Sequence, residues 1–383
     1  MEALRGIGVT ADPRGPTGSR ALRALDGRAL DGRTLDGRTL DGFVDGPLDP
    51  EQVAACLQGR RHVFLLDSAD PSHADGRYSM LGCDPWCVLR ARGEQVWAET
   101  DQGRVEFRDP LEALSAVTAA LRVDTPPPDG LPLAGGAVGF FGYDLGRAIE
   151  VLPERTVDDL GTDELCLAFY DWMLVFDHLT SRWHLVGTSR RPEVQPLESL
   201  LGQAEALIAQ LVNDAPELSE PPALPPAQAR SNFTHTEYVA AVERALEHIY
   251  AGDIYQVNLS QRFAVAVSAP AFELYRRLRH QTRAVFSAYL EGVNMHVLSL
   301  SPERFLRTRG RRVETCPIKG TRPRGRTPAE DKALAAELCG SAKDAAELAM
   351  IVDLERNDLG RVCEAGSVQV TEHAALYTLA TVH

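Results

Sequence analysis

Apolar and polar residues alternate along this chain in short runs that are separated by turns rich in glycine and proline. Runs rich in β-branched, aromatic and leucine residues predict strands at 62–66, 87–91, 95–99, 105–108, 166–177, 183–187, 285–290 and 296–299. Amphipathic patterns predict helices at 51–57, 110–121, 196–212 and 271–281. Strands and helices are mixed without regular alternation, and this favours an α+β architecture.

The helix with the clearest start and end signals follows Thr234. Thr234 and Glu237 form a capping-box pattern, apolar residues then repeat at helical spacing, and Gly252 ends the run. We expect one strand after it at 254–267 and another at 304–314.

Composition divides the chain into parts. From Ala24 to Gly42 the triplet Leu-Asp-Gly recurs every five residues, a period that fits neither helix nor strand, so we predict disorder over residues 1–45. Residues 214–230 contain five prolines and are predicted to be a linker. The predicted folded parts are an N-terminal subdomain at 50–213 and a catalytic domain at 231–383.

Length and charge narrow the class of protein. A chain of 383 residues with 44% hydrophobic residues is long enough to bury a large core, which favours a globular enzyme. A formal net charge of −14 argues against nucleic acid or an anionic membrane as the main partner. Seven scattered cysteines indicate a reduced, cytoplasmic protein, and no apolar run approaches the ~20 residues that span a bilayer.

Candidate chemistry concentrates at residues 314–325, which read E-T-C-P-I-K-G-T-R-P-R-G. Lys319 lies between a Pro-Ile pair and a Gly-Thr pair, and desolvation of a lysine stem frees the neutral amine as a nucleophile. Gly320 allows a ligand to approach the backbone closely, and Thr321 adds a hydroxyl group. A solvated turn lysine is the alternative that the local sequence leaves open.

Three motifs together resemble the chorismate-utilising enzymes. The P-I-K-G-T run at 317–321 is similar to that of the aminodeoxychorismate synthase branch, whereas most of the family has P-I-A-G-T. S-P-E-R-F at 301–305 matches the family closely, and 343–362 is a near-complete match to its metal-binding segment. The resemblance implies two face-packed antiparallel β-sheets flanked by helices, as in anthranilate synthase component I.

The resemblance also implies roles for individual residues. Lys319 attacks the substrate ring, Glu303 protonates the departing ring hydroxyl, and Gly320 and Thr321 hold a substrate carboxylate. A general acid needs a raised pKa, and burial is one means of raising it. A strand-end glutamate paired with Arg304 or Arg307 is the alternative.

Two further expectations concern substrate and metal. Gln256 occupies a position where the water-using relatives have a basic lysine, and because glutamine takes no proton at neutral pH it favours an amine nucleophile. Asn258 also resembles the aminodeoxychorismate branch. Glu347 and Asp344 lie three apart on one predicted helix face, and the resemblance makes them ligands of Mg²⁺, which prefers oxygen ligands.

The resemblance implies that chorismate and ammonia form 4-amino-4-deoxychorismate, towards p-aminobenzoate and folate, with ammonia supplied by a glutamine amidotransferase subunit. Relatives continue past the position that matches His383, so we expect a catalytic domain that is partial at its C-terminus. Two rivals stay open. One is anthranilate synthase component I, and the other is an inactive, truncated remnant that only binds a partner or ligand.

Overall fold

The computed structural model describes residues 35–39, 48–71, 73, 75–120, 131–133, 135–153, 157–189, 195–213, 217–221 and 227–383. It divides into two compact units, one formed by Met1–Leu218 with Leu278–His383 and the other by Ser219–Arg277. The predicted linker at 214–230 lies partly outside the described residues. None of the described helices is long and apolar enough to cross a lipid bilayer.

Sixteen strands are described, in chain order β1 (Leu35–Thr39), β2 (Phe64–Asp67), β3 (Tyr78–Gly82), β4 (Cys87–Arg92), β5 (Gln95–Thr100), β6 (Gly103–Phe107), β7 (Gly136–Phe141), β8 (Leu165–Tyr170), β9 (Trp172–Asp177), β10 (Arg182–Thr188), β11 (Arg230–Ser231), β12 (Phe263–Ala264), β13 (Phe286–Glu291), β14 (His296–Ser301), β15 (Arg304–Arg309) and β16 (Arg312–Cys316). The described helices are α1 (Pro50–Cys56), α2 (Pro110–Ala120), α3 (Leu197–Asn213), α4 (His235–Ala251), α5 (Ala271–Thr282), α6 (Pro328–Cys339) and α7 (Ala342–Gly360), with a 3-10 helix at Tyr143–Ala148.

Two antiparallel sheets form the larger unit. The seven-stranded sheet has the order β1-β10-β9-β3-β2-β13-β14, and the five-stranded sheet has the order β6-β5-β4-β8-β7. In the first sheet β2 pairs with β13, with Leu66 opposite Ala288. Strands from the predicted catalytic domain therefore complete the sheet of the predicted N-terminal subdomain, and the two halves of the chain are interleaved.

The main core lies between the two sheets. Phe64 and Met173 from the seven-stranded sheet pack in one cluster with Val88 and Tyr170 from the five-stranded sheet. The Phe64 and Tyr170 rings meet edge to face with centroids 4.7 Å apart. The prediction of two face-packed antiparallel sheets is confirmed.

Helices cover the outer faces of the sheets, as the amphipathic patterns predicted. Ala113 and Val117 of α2 pack against Leu89 and Val96 of the five-stranded sheet. The buried side of α3 packs against β9 and β10, and its buried residues are Leu197, Leu200, Leu201, Ala204, Ile208 and Val212. Leucine or isoleucine at this spacing places one apolar stripe on the sheet.

The smaller unit confirms the capping prediction and corrects a strand. At α4, the Thr234 side chain accepts a hydrogen bond from the Glu237 amide, and Gly252 ends the helix with φ of 82°. The strand predicted at 254–267 is wrong except at β12, which pairs with β11 alone. A strand needs a hydrogen-bonded neighbour, and β11 offers only two residues in this unit.

Three other predictions are corrected or refined by the structure. Within 1–45, where we predict disorder, residues 35–39 form β1, an antiparallel edge strand on β10, and the rest of this range lies outside the described residues. The single strand predicted at 304–314 is a hairpin of β15 and β16, which turns at Gly310 with φ of 56°. The helix predicted to carry Asp344 and Glu347 is α7, which Ser341 caps, and the separate helix α6 precedes it and ends before Gly340.

Candidate active site

The hairpin β15–β16 brings Glu303 and the Lys319 loop together. Arg304 at the start of β15 lies opposite Cys316 at the end of β16, so the residues just outside the hairpin are neighbours. A Glu303 Oε1 atom accepts a hydrogen bond of 2.8 Å from the backbone amide of Ile318. The Ser301 hydroxyl fixes the turn before β15 by bonding the Glu303 backbone amide at 3.2 Å. The carboxylate predicted as the acid thus lies at the residue that precedes Lys319.

The two groups differ in burial. The Lys319 side chain is half-buried, which agrees with a shielded stem, but Glu303 is exposed. In this structure the Glu303 side chain therefore lies at the surface, where its carboxylate accepts the bond from the Ile318 amide. Within the described part of the chain Glu303 pairs with neither Arg304 nor Arg307, so the simple strand-end ion pair is absent as well.

Gly320 fits the loop against the helices that follow. Its φ of 74° lies in the left-handed region, which favours glycine. A Cβ atom at this position would lie 2.9 Å from Asp344 Cβ and 2.9 Å from Leu338 Cδ1. Lys319 is therefore held close to the start of α7, the helix that carries both predicted metal ligands.

Asp344 is engaged at the start of α7. Its amide bonds the Ser341 hydroxyl at 3.3 Å, and its Oδ2 atom lies 3.3 Å from Nη2 of Arg322. Hydrogen bonding with the Ser341 side chain, together with the charge of Arg322, lowers the pKa of the Asp344 carboxyl. Asp344 is therefore ionised at neutral pH and forms an ion pair with Arg322.

Glu347 lies one helical turn beyond Asp344 and is half-buried. Its carboxylate supplies the oxygen donor that Mg²⁺ prefers, and magnesium sites use one or two carboxylates and keep several waters. No group of three or more acidic, histidine or cysteine side chains in the described ranges forms a closed metal site. Glu347 fits a magnesium contact of this open kind, whereas Asp344 would have to share its oxygen with Arg322.

The turn after Lys319 is held by arginines whose role the sequence did not reveal. Arg322 bonds Glu337 of α6 at 2.7 Å and so links the loop to both helices. Arg324 makes a two-pronged contact with Asp331, whose Oδ1 atom also accepts a bond from the Gly325 amide. These contacts, led by the Arg324 bond, hold the pKa of Asp331 well below its usual range. The only signal was the basic R-P-R run at 322–324.

Thr321 and Gln256, the other residues predicted to bind substrate, belong to different units of the structure. Thr321 is exposed, and its carbonyl accepts a bond of 3.0 Å from the Arg322 guanidinium. Gln256 and Asn258 lie in the smaller unit, in exposed coil that follows α4. The structure therefore brings together Glu303, Gly320 and the acidic start of α7, and it gives Gln256 no position relative to them.

Fold and site define a class: an α+β enzyme with a lysine loop beside a carboxylate and an acidic helix. The sequence profile of the chorismate binding enzyme family matches residues 61–383. The chain therefore belongs to this family and is a chorismate-utilising enzyme.

Two groups of relatives are equally similar. The chain is 37% identical over 322 residues to aminodeoxychorismate synthase component 1 of Salmonella typhimurium, covering 84% of this chain and 68% of that protein. It is also 37% identical over 345 residues to anthranilate synthase component 1 of Geobacillus stearothermophilus, covering 86% of this chain and 68% of that protein. Both relatives are named as component 1 of a synthase.

Solved structures agree with the fold. The crystal structure of anthranilate synthase component I from Streptococcus pneumoniae aligns with a TM-score of 0.65 and 28% identity, covering 80% of this chain and 67% of that one. The fold expected from the sequence motifs is the one observed.

Proposed function

We propose that this chain is component 1 of an aminodeoxychorismate synthase, which converts chorismate and ammonia to 4-amino-4-deoxychorismate. One observation carries the proposal: the P-I-K-G-T loop presents Lys319 directly after the amide that binds the Glu303 carboxylate. A nucleophilic amine and a proton donor are the two groups that replacement of a ring hydroxyl by ammonia requires.

The proposed reaction has two substitutions. The neutral amine of Lys319 bonds to ring carbon C2 as the double bonds shift, and the 4-hydroxyl departs as water with a proton from Glu303. Ammonia then bonds to C4, the electrons shift back, and the bond from C2 to the lysine nitrogen breaks. Glu303 recovers a proton from the new ammonium group, so the sum is chorismate plus ammonia giving product plus water.

Substrate carboxylates need positive charge or hydrogen-bond donors. We assign Gly320 and Thr321 to one carboxylate, because the left-handed backbone at Gly320 exposes amide groups beside the lysine. Gln256 is assigned to the substrate through its amide group. Magnesium, when bound at Glu347, would neutralise the ring carboxylate, with Asp344 as the second acidic position.

Anthranilate synthase component 1 is the alternative, because relatives with that name are as similar as the aminodeoxychorismate synthases. The two activities differ in product, since anthranilate formation releases pyruvate and aminodeoxychorismate formation does not. Lys319 and Asn258 favour the latter. A chain that binds chorismate without turnover is the third outcome.

A second component is part of the proposal. The relatives are named as component 1, and we assign the supply of ammonia to a glutamine amidotransferase partner. Ammonium salts would then replace the partner in the test tube.

The test is product analysis with chorismate, ammonium and Mg²⁺, with products resolved by mass. Wild type is expected to give aminodeoxychorismate, and Lys319→Ala none. Lys332→Ala is a matched control, because Lys332 is exposed on α6. Formation of anthranilate with pyruvate would assign the chain to the other synthase. A wild type that is inactive even in the complete enzyme, in which the chain is assembled with its amidotransferase partner, would indicate a binding role.

A further inference from the structure

The loop between β2 and β3 reaches the hairpin that carries the site. Asp75 in this loop accepts a hydrogen bond of 2.5 Å from Nη2 of Arg304, and it lies 4.0 Å from Nη1 of Arg307. Arg304 directly follows Glu303 in the chain. Asp75, which lies 229 positions away in sequence, therefore binds Arg304, the residue next to the proposed acid Glu303.

Arg304 is held on several sides. Its other terminal nitrogen bonds Glu314 across the hairpin, and its guanidinium lies 5.2 Å from the centroid of the Phe286 ring. Only 13% of its side chain is exposed. A shielded guanidinium is costly unless carboxylates pair with it, so Asp75 and Glu314 together determine where Arg304 sits.

A second contact joins the same loop to the other strand. The His73 ring stacks on Tyr377 with centroids 5.4 Å apart, and the Tyr377 hydroxyl lies 3.8 Å from Cys316 Sγ. Cys316 is the residue opposite Arg304 in the hairpin. The loop thus contacts the hairpin directly at Arg304 and, through Tyr377, reaches Cys316.

The described residues of the loop are bonded to one another. Gly76 has its amide bonded to the His73 carbonyl at 2.9 Å, and a Cβ atom on Gly76 would lie 2.1 Å from the Asp70 carbonyl oxygen. The Asp75 amide bonds His73 Nδ1 at 3.1 Å. At the base of the loop, Ser68 donates its amide to the buried Ser79 hydroxyl. These bonds tie Asp75 to the neighbouring described residues of the loop, and Asp75 in turn binds Arg304.

We propose that Asp75 is a positioning residue, which acts through Arg304 to keep the Glu303 carboxylate on the Ile318 amide. This inference rests on the proposed function in one respect, the role of Glu303 as the acid. Asp75 contacts no reacting atom and affects the barrier through geometry alone. A displacement of about 1 Å at a reacting group can cost on the order of 100-fold in rate.

The test compares Asp75→Asn with wild type in the complete enzyme. Asparagine keeps the size and removes the charge, so kcat is expected to fall by about 10- to 100-fold with KM for chorismate unchanged. Hydrogen exchange of the Ile318 amide is expected to accelerate, because its bond to Glu303 is weakened. Asp75→Glu, which restores the carboxylate, is expected to recover most of both properties.

Asp101→Asn is the matched control, since Asp101 is exposed in the turn between β5 and β6. Wild-type kcat and wild-type exchange at Ile318 in Asp75→Asn would overturn the proposal. A fall in kcat together with a fall in the thermal midpoint, but with wild-type hydrogen exchange at the Ile318 amide, would also overturn it. The loss of activity would then come from a merely structural role of Asp75. Consumption of chorismate is followed whatever the product, so an error in the proposed product leaves this test intact.

Discussion

The packed sheets and the signature region (residues 301–383) are stabilised in different ways. Residues between the sheets, such as Phe64 and Met173, are fully buried among apolar neighbours. In the signature region, all of which is described, only His383 is buried, and α6 and α7 contain no buried residue. Stability is therefore concentrated in the sheets, and the signature region contributes mainly the geometry of the site.

The contacts of the signature region are charged. Arg322 bridges two helices, Arg324 binds Asp331, and Arg304 binds Asp75 and a glutamate across the hairpin. Exposed ion pairs contribute only about 0–1 kcal/mol each, whereas a buried leucine contributes several times as much. Substitutions in the two regions are expected to change different properties, and the following predictions separate them.

The largest expected effect is on catalysis, at Glu303. Glu303→Gln keeps an acceptor for the Ile318 amide but removes the proton donor, so kcat should fall by about 100- to 10,000-fold. The thermal midpoint is expected to stay within a degree or two of wild type, because Glu303 is exposed. Steady-state kinetics measure kcat, and calorimetry measures the thermal midpoint. A large loss of stability with wild-type kcat would contradict the assignment of stability to the sheets and of catalysis to the signature region.

The largest expected effect on stability is at the buried residues of the seven-stranded sheet. Leu65→Ala removes a fully buried side chain from β2 and should cost about 2–5 kcal/mol of unfolding free energy. Leu354→Ala is the matched control in α7, where 56% of the side chain is exposed, and it should change stability by less than about 0.5 kcal/mol. Urea denaturation distinguishes the two, and equal costs would contradict the account.

Gly320 is the position where the two properties are expected to change together. Gly320→Ala forces a side chain into a left-handed backbone and against Asp344 and Leu338, at a cost of about 1–3 kcal/mol. Because Lys319 is adjacent, kcat is expected to fall as well. Gly360→Ala in α7 meets no atom within 4 Å and serves as the control. A fully active, fully stable Gly320→Ala would show that the loop packs differently.

The smallest effect is the dependence of stability on pH from Asp331. Its pKa is lowered in the folded state, chiefly by Arg324, so its contribution is fully present above the unfolded pKa of about 4 and declines as pH falls from there through the lower folded pKa. Asp331→Asn should therefore lower the denaturation midpoint at pH 7 and lower it by less near pH 2. The same difference at both pH values would show that the charge is not responsible.

Local signals were predicted well from the sequence. The capping box at Thr234 and Glu237 satisfies backbone groups within four residues, so it needs no tertiary information to be recognised. The motif around Lys319 was recognised for the same reason, since its residues are contiguous. The helix predicted at 196–212 is also observed, as α3.

Features that depend on distant partners were missed. The strand expected at 254–267 has the right composition but lacks a neighbour to pair with beyond β11. Pairing of Asp75 with Arg304 joins residues far apart in sequence, and no pattern indicates it. The hairpin at Gly310 was read as one strand, because a single glycine within a polar run is a weak turn signal.

The central claim is that Lys319 bonds covalently to the substrate ring. We would incubate the complete enzyme with chorismate and Mg²⁺ in the absence of ammonia, quench it, and determine the mass of the peptide that contains Lys319. The account predicts an adduct equal to chorismate less one water on that peptide, lost when ammonium is added and absent in Lys319→Ala. An enzyme that forms aminodeoxychorismate at the wild-type rate with alanine at this position would contradict it.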